Sequence, residues 1–264
     1  MSQLLSTPKG ITLKVPQPIA LSLEQVAFSY PDHHAVLRDI SLTVQEGERV
    51  GLIGHNGCGK TTLFMLLCGM LAPSSGTVHL FDQPVKPGQF YPEVGFLFQD
   101  PEDQLFSPSV QDDIAFGPQN LGLSTAEVSE RVAIAMEMTG ITALAERPPH
   151  HLSGGEKQMV AIAGLLAMCP RILLCDEPTA SLDMRIRRRL IQFLQRSSET
   201  LLIASHDLEF LLEVCDRVVL IDEGQVIADG RARTVMGDQA LMEAHGLEKP
   251  HSLIPHLDPH HDGV

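Results

Sequence analysis

The stretch RVGLIGHNGCGKTTLFMLLCGML, residues 49–71, constrains the fold more than any other part of the chain. A short apolar strand runs into a glycine-rich turn and out into a helix. Residues 54–61, GHNGCGKT, fit G-x-x-x-x-G-K-[ST] without a mismatch, in the strand–loop–helix context the motif requires. Such a loop wraps backbone N–H groups around phosphates, and the helix N-terminus adds partial positive charge. The candidate contacts are Gly54, His55, Asn56, Gly57, Cys58, Gly59, Lys60, Thr61 and Thr62. Lys60 would reach the β- and γ-phosphates of ATP, and the Thr61 hydroxyl would bind Mg²⁺. A strand feeding such a loop and helix predicts an α/β fold, a parallel sheet covered by helices.

A second buried strand, ILLCD, ends in the acidic pair Asp176–Glu177. A carboxylate at the end of a buried strand needs a partner. Beside a phosphate loop, Asp176 reads as a Mg²⁺ ligand and Glu177 as the base that orients and deprotonates the attacking water. Without the loop, the pair would read as a salt-bridged strand end. The next strand, TLLIASH, ends in His206, at the carboxyl edge where open α/β sheets bind ligands. A γ-phosphate contact follows from that placement. Tyr30, closing VAFSY, reads either as core or as a ring that stacks on adenine.

With 264 residues, 44% of them hydrophobic, the chain can bury one large core or two small ones. A formal charge of −14 repels phosphate backbones, which excludes nucleic acid as the main partner. The five cysteines (58, 68, 169, 175 and 215) are odd in number, scattered and free of C-x-x-C, a reduced intracellular pattern. The N-terminal stretch lacks the apolar core of a signal peptide, and the longest apolar runs reach about half a bilayer span. A soluble chain, acting at any membrane from the side, is expected.

Along the chain, residues 1–20 read as a loose leader, and VAFSY and ISLTV as strands of an antiparallel layer. Residues 121–147 read as helical, with a capping box at Ser124 and Glu127 and a stop at Gly140. MRIRRRLIQFLQR places Ile186, Leu190, Phe193 and Leu194 on one helical face and leaves Arg185, Arg187, Arg188 and Arg189 as a solvated face. A hairpin turns at Asp222, Glu223 and Gly224. Residues 245–264 hold five of the twelve histidines (245, 251, 256, 260 and 261) and read as a flexible tail, with weak metal capture as the alternative.

HLSGGEKQMVA, residues 151–161, poses a different question: why two adjacent glycines open a helix. Ser153 and Glu156 form a capping box, and Gly154 and Gly155 leave the first-turn amides bare, which makes a phosphate site. Two phosphate sites with one nucleotide motif set make sense if the second serves another subunit's nucleotide. Together, LSGGE, GHNGCGKT, ILLCDEP, SLD and IASH resemble the ATPase domain of ABC proteins over residues 21–244. The resemblance implies a P-loop NTPase core with a parallel sheet, an antiparallel β-subdomain and a helical signature subdomain near residues 100–168. It further implies a head-to-tail dimer, of identical or paralogous ATPases, sandwiching ATP and Mg²⁺. Ser153, Gly154, Gly155 and Glu156 would then close on the partner's nucleotide. Residues 181–183, including Asp183, match the D-loop that communicates across that interface. Gln99 matches the glutamine that contacts Mg²⁺ and the membrane partner's coupling helix. Two departures stand out: Glu156 where many members carry Gln, and Cys58 where Ser is frequent.

FQDPEDQLFSPSVQDDIAFGPQNLGL, residues 98–123, is similar to the ATPase subunits of energy-coupling-factor importers. That likeness implies a peripheral subunit on the cytoplasmic face of the cell membrane. It would power uptake of a micronutrient, with cobalt or nickel ions favoured, through a transmembrane coupling subunit and a substrate-binding membrane subunit. The alternatives are a vitamin importer, another ABC transporter, or a soluble ABC ATPase; the long coiled insertions, tandem halves or basic arms usual in the last are not visible.

Overall fold

The computed structural model describes residues 17–31, 35–180 and 182–254. In chain order the strands are β1 (Ile19–Phe28), β2 (Leu37–Gln45), β3 (Arg49–Ile53), β4 (Ser75–Leu80), β5 (Gln83–Pro84), β6 (Val94–Leu97), β7 (Ile172–Asp176), β8 (Thr200–Ala204), β9 (Arg217–Asp222) and β10 (Gln225–Arg231). The helices are α1 (Lys60–Leu67), α2 (Val110–Asn120), α3 (Thr125–Thr139), α4 (Gly154–Ala167), α5 (Met184–Arg196), α6 (Leu208–Val214), α7 (Ala232–Val235) and α8 (Gln239–Ala244).

Two sheets form. An antiparallel one runs β2-β1-β4-β5, and a six-stranded one runs β10-β9-β3-β8-β7-β6. In the larger sheet β9, β3, β8, β7 and β6 are parallel, and only β10 pairs antiparallel. Its strands read as continuous apolar runs because both faces are covered. Leu173, Cys175, Leu201, Ile203, Val218 and Leu220 face a core shared with α2–α6. Their neighbours Leu174, Leu202, Val219 and Ile221 face a second core, shared with α1 and the antiparallel sheet. α1 lies inside that second core, with Leu63, Phe64, Leu66 and Leu67 all buried.

The capping box of α3 is present, and Gly140 closes that helix in the left-handed conformation at φ 68°. At the β9–β10 turn, Glu223 (φ 45°) and Gly224 (φ 74°) both take positive φ, the requirement of a tight two-residue hairpin.

Some expectations are corrected. β1 begins at Ile19 and ends before Tyr30, because it pairs with β2 on one edge and β4 on the other along most of its length. Residues 19 and 20 are therefore strand; residues 1–16 of the expected leader lie outside the described residues. Arg187 is not solvated: it pairs with Asp207 at 3.0 Å and Glu213 at 3.5 Å, bridging α5 to α6. Of the expected tail, residues 245–254 fold back. Leu247 and Leu253 pack on the core, His245 bonds Asp222, and the Ser252 amide donates to Glu209. His256, His260 and His261 lie outside the described residues, and no cluster of metal-ligating side chains forms among those described.

Candidate nucleotide site

Strand register brings the motifs together. Leu52 of β3 and Asp176 of β7 both align with Ala204 of β8, so three adjacent strands end level. The phosphate loop, the acidic pair and His206 leave from those ends. Gly54 is required sterically: a Cβ there would lie 2.1 Å from the Ile221 carbonyl oxygen. Gly59 adopts φ 109° and would meet Leu37. Gly57, at φ 84°, has open space where its side chain would be, so the exposed crest of residues 55–57 is approachable by a ligand. Lys60 is buried beneath, its ammonium donating to the carbonyls of Gly54 (2.7 Å) and His55 (3.2 Å).

The Thr61 hydroxyl donates to Asp176 Oδ2 at 2.5 Å. Gln99 lines the same cavity of about 440 Å³ as Thr61 and Asp176. Burial is the main cause that raises the Asp176 carboxyl above its ordinary value, with the Thr61 bond opposing it. A hydroxyl, a carboxylate and an amide oxygen are the donors a hard cation takes, so this set fits Mg²⁺. Glu177 sits at φ 47°, its amide bonded to the Ala204 carbonyl. Three donors converge on its Oε2: His206 Nδ1 at 2.7 Å, the His206 amide at 3.2 Å and the Ser205 hydroxyl at 3.2 Å. Glu177 is buried and His206 largely exposed, so the histidine can meet both the carboxylate and a ligand above it. Tyr30 packs edge-on to Phe28, with its hydroxyl 3.3 Å from Thr62 Oγ1, beside the loop.

In the segment 153–156, Gly155 lies against Ile186 of α5 and Leu182 just before it. A Cβ on Gly155 would lie 2.5 Å from Ile186 Cδ1, so a side chain there would displace the tip of Ile186, a contact the sequence did not reveal. Asp183 caps α5, accepting from the amides of Arg185 (2.8 Å) and Ile186 (2.9 Å); Ser181 lies outside the described residues. Lys157 pairs with Glu102, tying α4 to the segment after Gln99.

The capping box of α4 is complete, with Glu156 Oε2 accepting from both the Ser153 amide and hydroxyl at 2.8 Å. These bonds, the backbone one first, hold its carboxyl below its ordinary value. A depressed carboxyl stabilises the fold above its unfolded pKa, and that contribution fades as pH falls through the lower folded value. Glu156→Ala should cost about 1 kcal/mol near neutral pH, a deficit that thermal unfolding should show shrinking below the ordinary carboxylate range. Glu156→Gln keeps the acceptor and should leave the melting temperature nearly unchanged.

One set of contacts was not anticipated. Asp222 receives His55 Nε2 at 2.8 Å and His245 Nδ1 at 2.7 Å. In the sequence Asp222 reads only as a turn residue, since its partners lie far away in the chain.

A phosphate loop, a strand-end acidic pair and a histidine on neighbouring parallel strands define a P-loop nucleoside triphosphatase. Residues 37–180 match the family model for the ABC transporter. A Synechocystis sp. protein provisionally named an ABC transporter ATP-binding protein is 64% identical over 91% of this chain and 85% of its own length. The energy-coupling factor transporter ATP-binding protein EcfA of Methanothermobacter thermautotrophicus is 44% identical, covering 87% of this chain and 76% of its own. The structure of cbiO1 from Clostridium perfringens, part of the ABC transporter complex cbiONQ, superposes with a TM-score of 0.76 at 36% identity, over 86% of this chain and 94% of that one. The chain belongs to the ABC transporter family, as an ATP-binding subunit that hydrolyses ATP to power transport. No described helix is long and apolar enough to cross a membrane.

Proposed function

We propose that this subunit energises an energy-coupling-factor importer from the cytoplasmic face of the membrane, and that cobalt or nickel ions are the cargo. The observation that carries the coupling role is an open groove of about 530 Å³ between α2 and α4. Gly117 and Gly164 line it, and a Cβ on Gly164 would meet nothing. Phe106 and Phe116 stand at its mouth, 65% and 48% exposed, in edge contact at 4.7 Å. Small residues and half-exposed aromatics suit a short apolar helix from a membrane subunit. The likeness of residues 98–123 to energy-coupling-factor ATPases supports the importer type, and the likeness to EcfA and cbiO1 agrees with it. The metal choice rests on the likeness to that importer type; of the histidines expected in a flexible tail, His245 is bonded to Asp222.

In the proposed cycle, Lys60 and the loop amides hold the phosphates while Tyr30 stacks on adenine. Asp176, Thr61 and Gln99 would hold Mg²⁺, which neutralises charge on the β- and γ-phosphates. Glu177 takes the proton of the attacking water, and His206 steadies both Glu177 and the γ-phosphate. The amides at Ser153–Glu156 of a second copy complete the site. The Lys157–Glu102 pair links that closure to Gln99 and so to the groove.

Affinity isolation of the full chain from gently solubilised native membranes tests this reading, with partners and bound metal identified together. Recovery of a coupling subunit and a substrate-binding subunit is expected. Recovery only from the soluble fraction, or with ribosomes or DNA, would overturn the importer reading.

A further inference from the structure

The contacts of His55 have a chemical consequence. Its Nδ1 lies 2.7 Å from the Asn56 carbonyl oxygen and its Nε2 lies 2.8 Å from Asp222 Oδ1. A carbonyl and a carboxylate only accept, so the form of the ring that satisfies both contacts at once is the imidazolium, with both nitrogens donating. Asp222 is itself held by His245, folded back from beyond α8, and by the Glu223 amide on Oδ1. The His245 bond is the largest cause holding the Asp222 carboxyl below its ordinary value, with burial opposing it. The turn is rigid around this carboxylate. The Ile221 oxygen abuts Gly54, Gly224 abuts Val36, and the Gly224 oxygen accepts from the Arg38 amide at 2.8 Å.

We infer that His245 and Asp222 are positioning residues that hold His55 as an imidazolium on the crest of the phosphate loop, adding a pH-dependent positive charge to the ATP site. The inference rests on the P-loop being the ATP site and goes beyond the importer reading. The other charged or titratable groups near the cluster are Lys60, whose ammonium lies on the His55 carbonyl, the Cys58 thiol, which senses Asp222, and Glu223 in the turn. A neutral ring at His55 could donate to only one of the two acceptors and would carry no charge. ATP affinity should therefore fall as pH rises, for a reason separate from the titration of ATP itself.

The test is equilibrium binding of Mg-ATP to the full chain across pH 6 to pH 9, with thermal unfolding as a control. At the acid end, Asp222→Asn and His245→Ala should each weaken binding roughly five- to tenfold, the scale of one charge-assisted hydrogen bond. At the alkaline end they should converge on the wild-type affinity. His245→Gln, which can still donate to Asp222, should recover most of the loss. His55→Asn, at an exposed position, should behave like Asp222→Asn and covers the case in which His245→Ala fails to fold. Variants within about twofold of wild type at every pH, or a deficit that is the same at every pH, would overturn the inference. A wild-type chain that binds no Mg-ATP at any pH would instead sink the ATP site itself.

Discussion

Glu177→Gln is expected to lower ATP turnover by roughly 10²–10⁴-fold, the usual yield of a general base, while ATP binding survives. The buried carboxylate meets its three donors on one oxygen, Oε2. A glutamine of the same shape can present its amide oxygen to Ser205 and the His206 amide, so the strained turn at φ 47° should persist. Only the proton acceptor is lost. With hydrolysis blocked, ATP-bound pairs should accumulate, and light scattering should report a dimer that requires ATP. Turnover within a few-fold of wild type would remove Glu177 from the base role.

Lys60→Met should produce the opposite pattern, losing ATP binding while keeping or improving the fold. Lys60 is 6% exposed and its ammonium rests on two backbone carbonyls, a placement that costs desolvation and is not repaid by a carboxylate. Methionine fills the same volume without a charge. Against phosphate, the lost charge-assisted bonds should weaken ATP binding by about 10². In unfolding experiments, wild type gains about 2.7 kcal/mol at ATP a hundredfold above Kd, and the variant at the same ATP concentration should gain only about 0.4 kcal/mol. An unchanged ATP-induced shift would contradict this role for Lys60.

Local patterns made much of the molecule legible before its structure. The phosphate loop follows from glycine spacing, β7 from its apolar run, and the helix starts at Ser124 and Ser153 from their capping boxes. Contacts between distant segments were not legible. Strand β6 is only four residues long and contains Gly95, so it gives little periodic signal and forms by pairing with β7. Arg187 looks like part of a solvated basic run until α6 brings Asp207 and Glu213 beside it. The packing of Gly155 against Ile186 of α5 was also hidden, because the two residues lie in separate helices. Three strands, β4, β5 and β6, and the first half of β1 gave no clear alternation, because bulges and short length blur a period of two. The bonds from Asp222 to His55 and His245 span too much sequence for any local pattern to carry.

In the proposed cycle each ATP is hydrolysed between two copies, with the Ser153–Glu156 amides of one closing on the phosphate loop of the other. Turnover per chain at saturating Mg-ATP, measured across a wide range of protein concentration, tests it most directly. Specific activity should rise with concentration and level off where dimers dominate, and it should fall when Glu177→Gln chains are mixed in. Specific activity that stays constant down to concentrations where the chain is monomeric would contradict it.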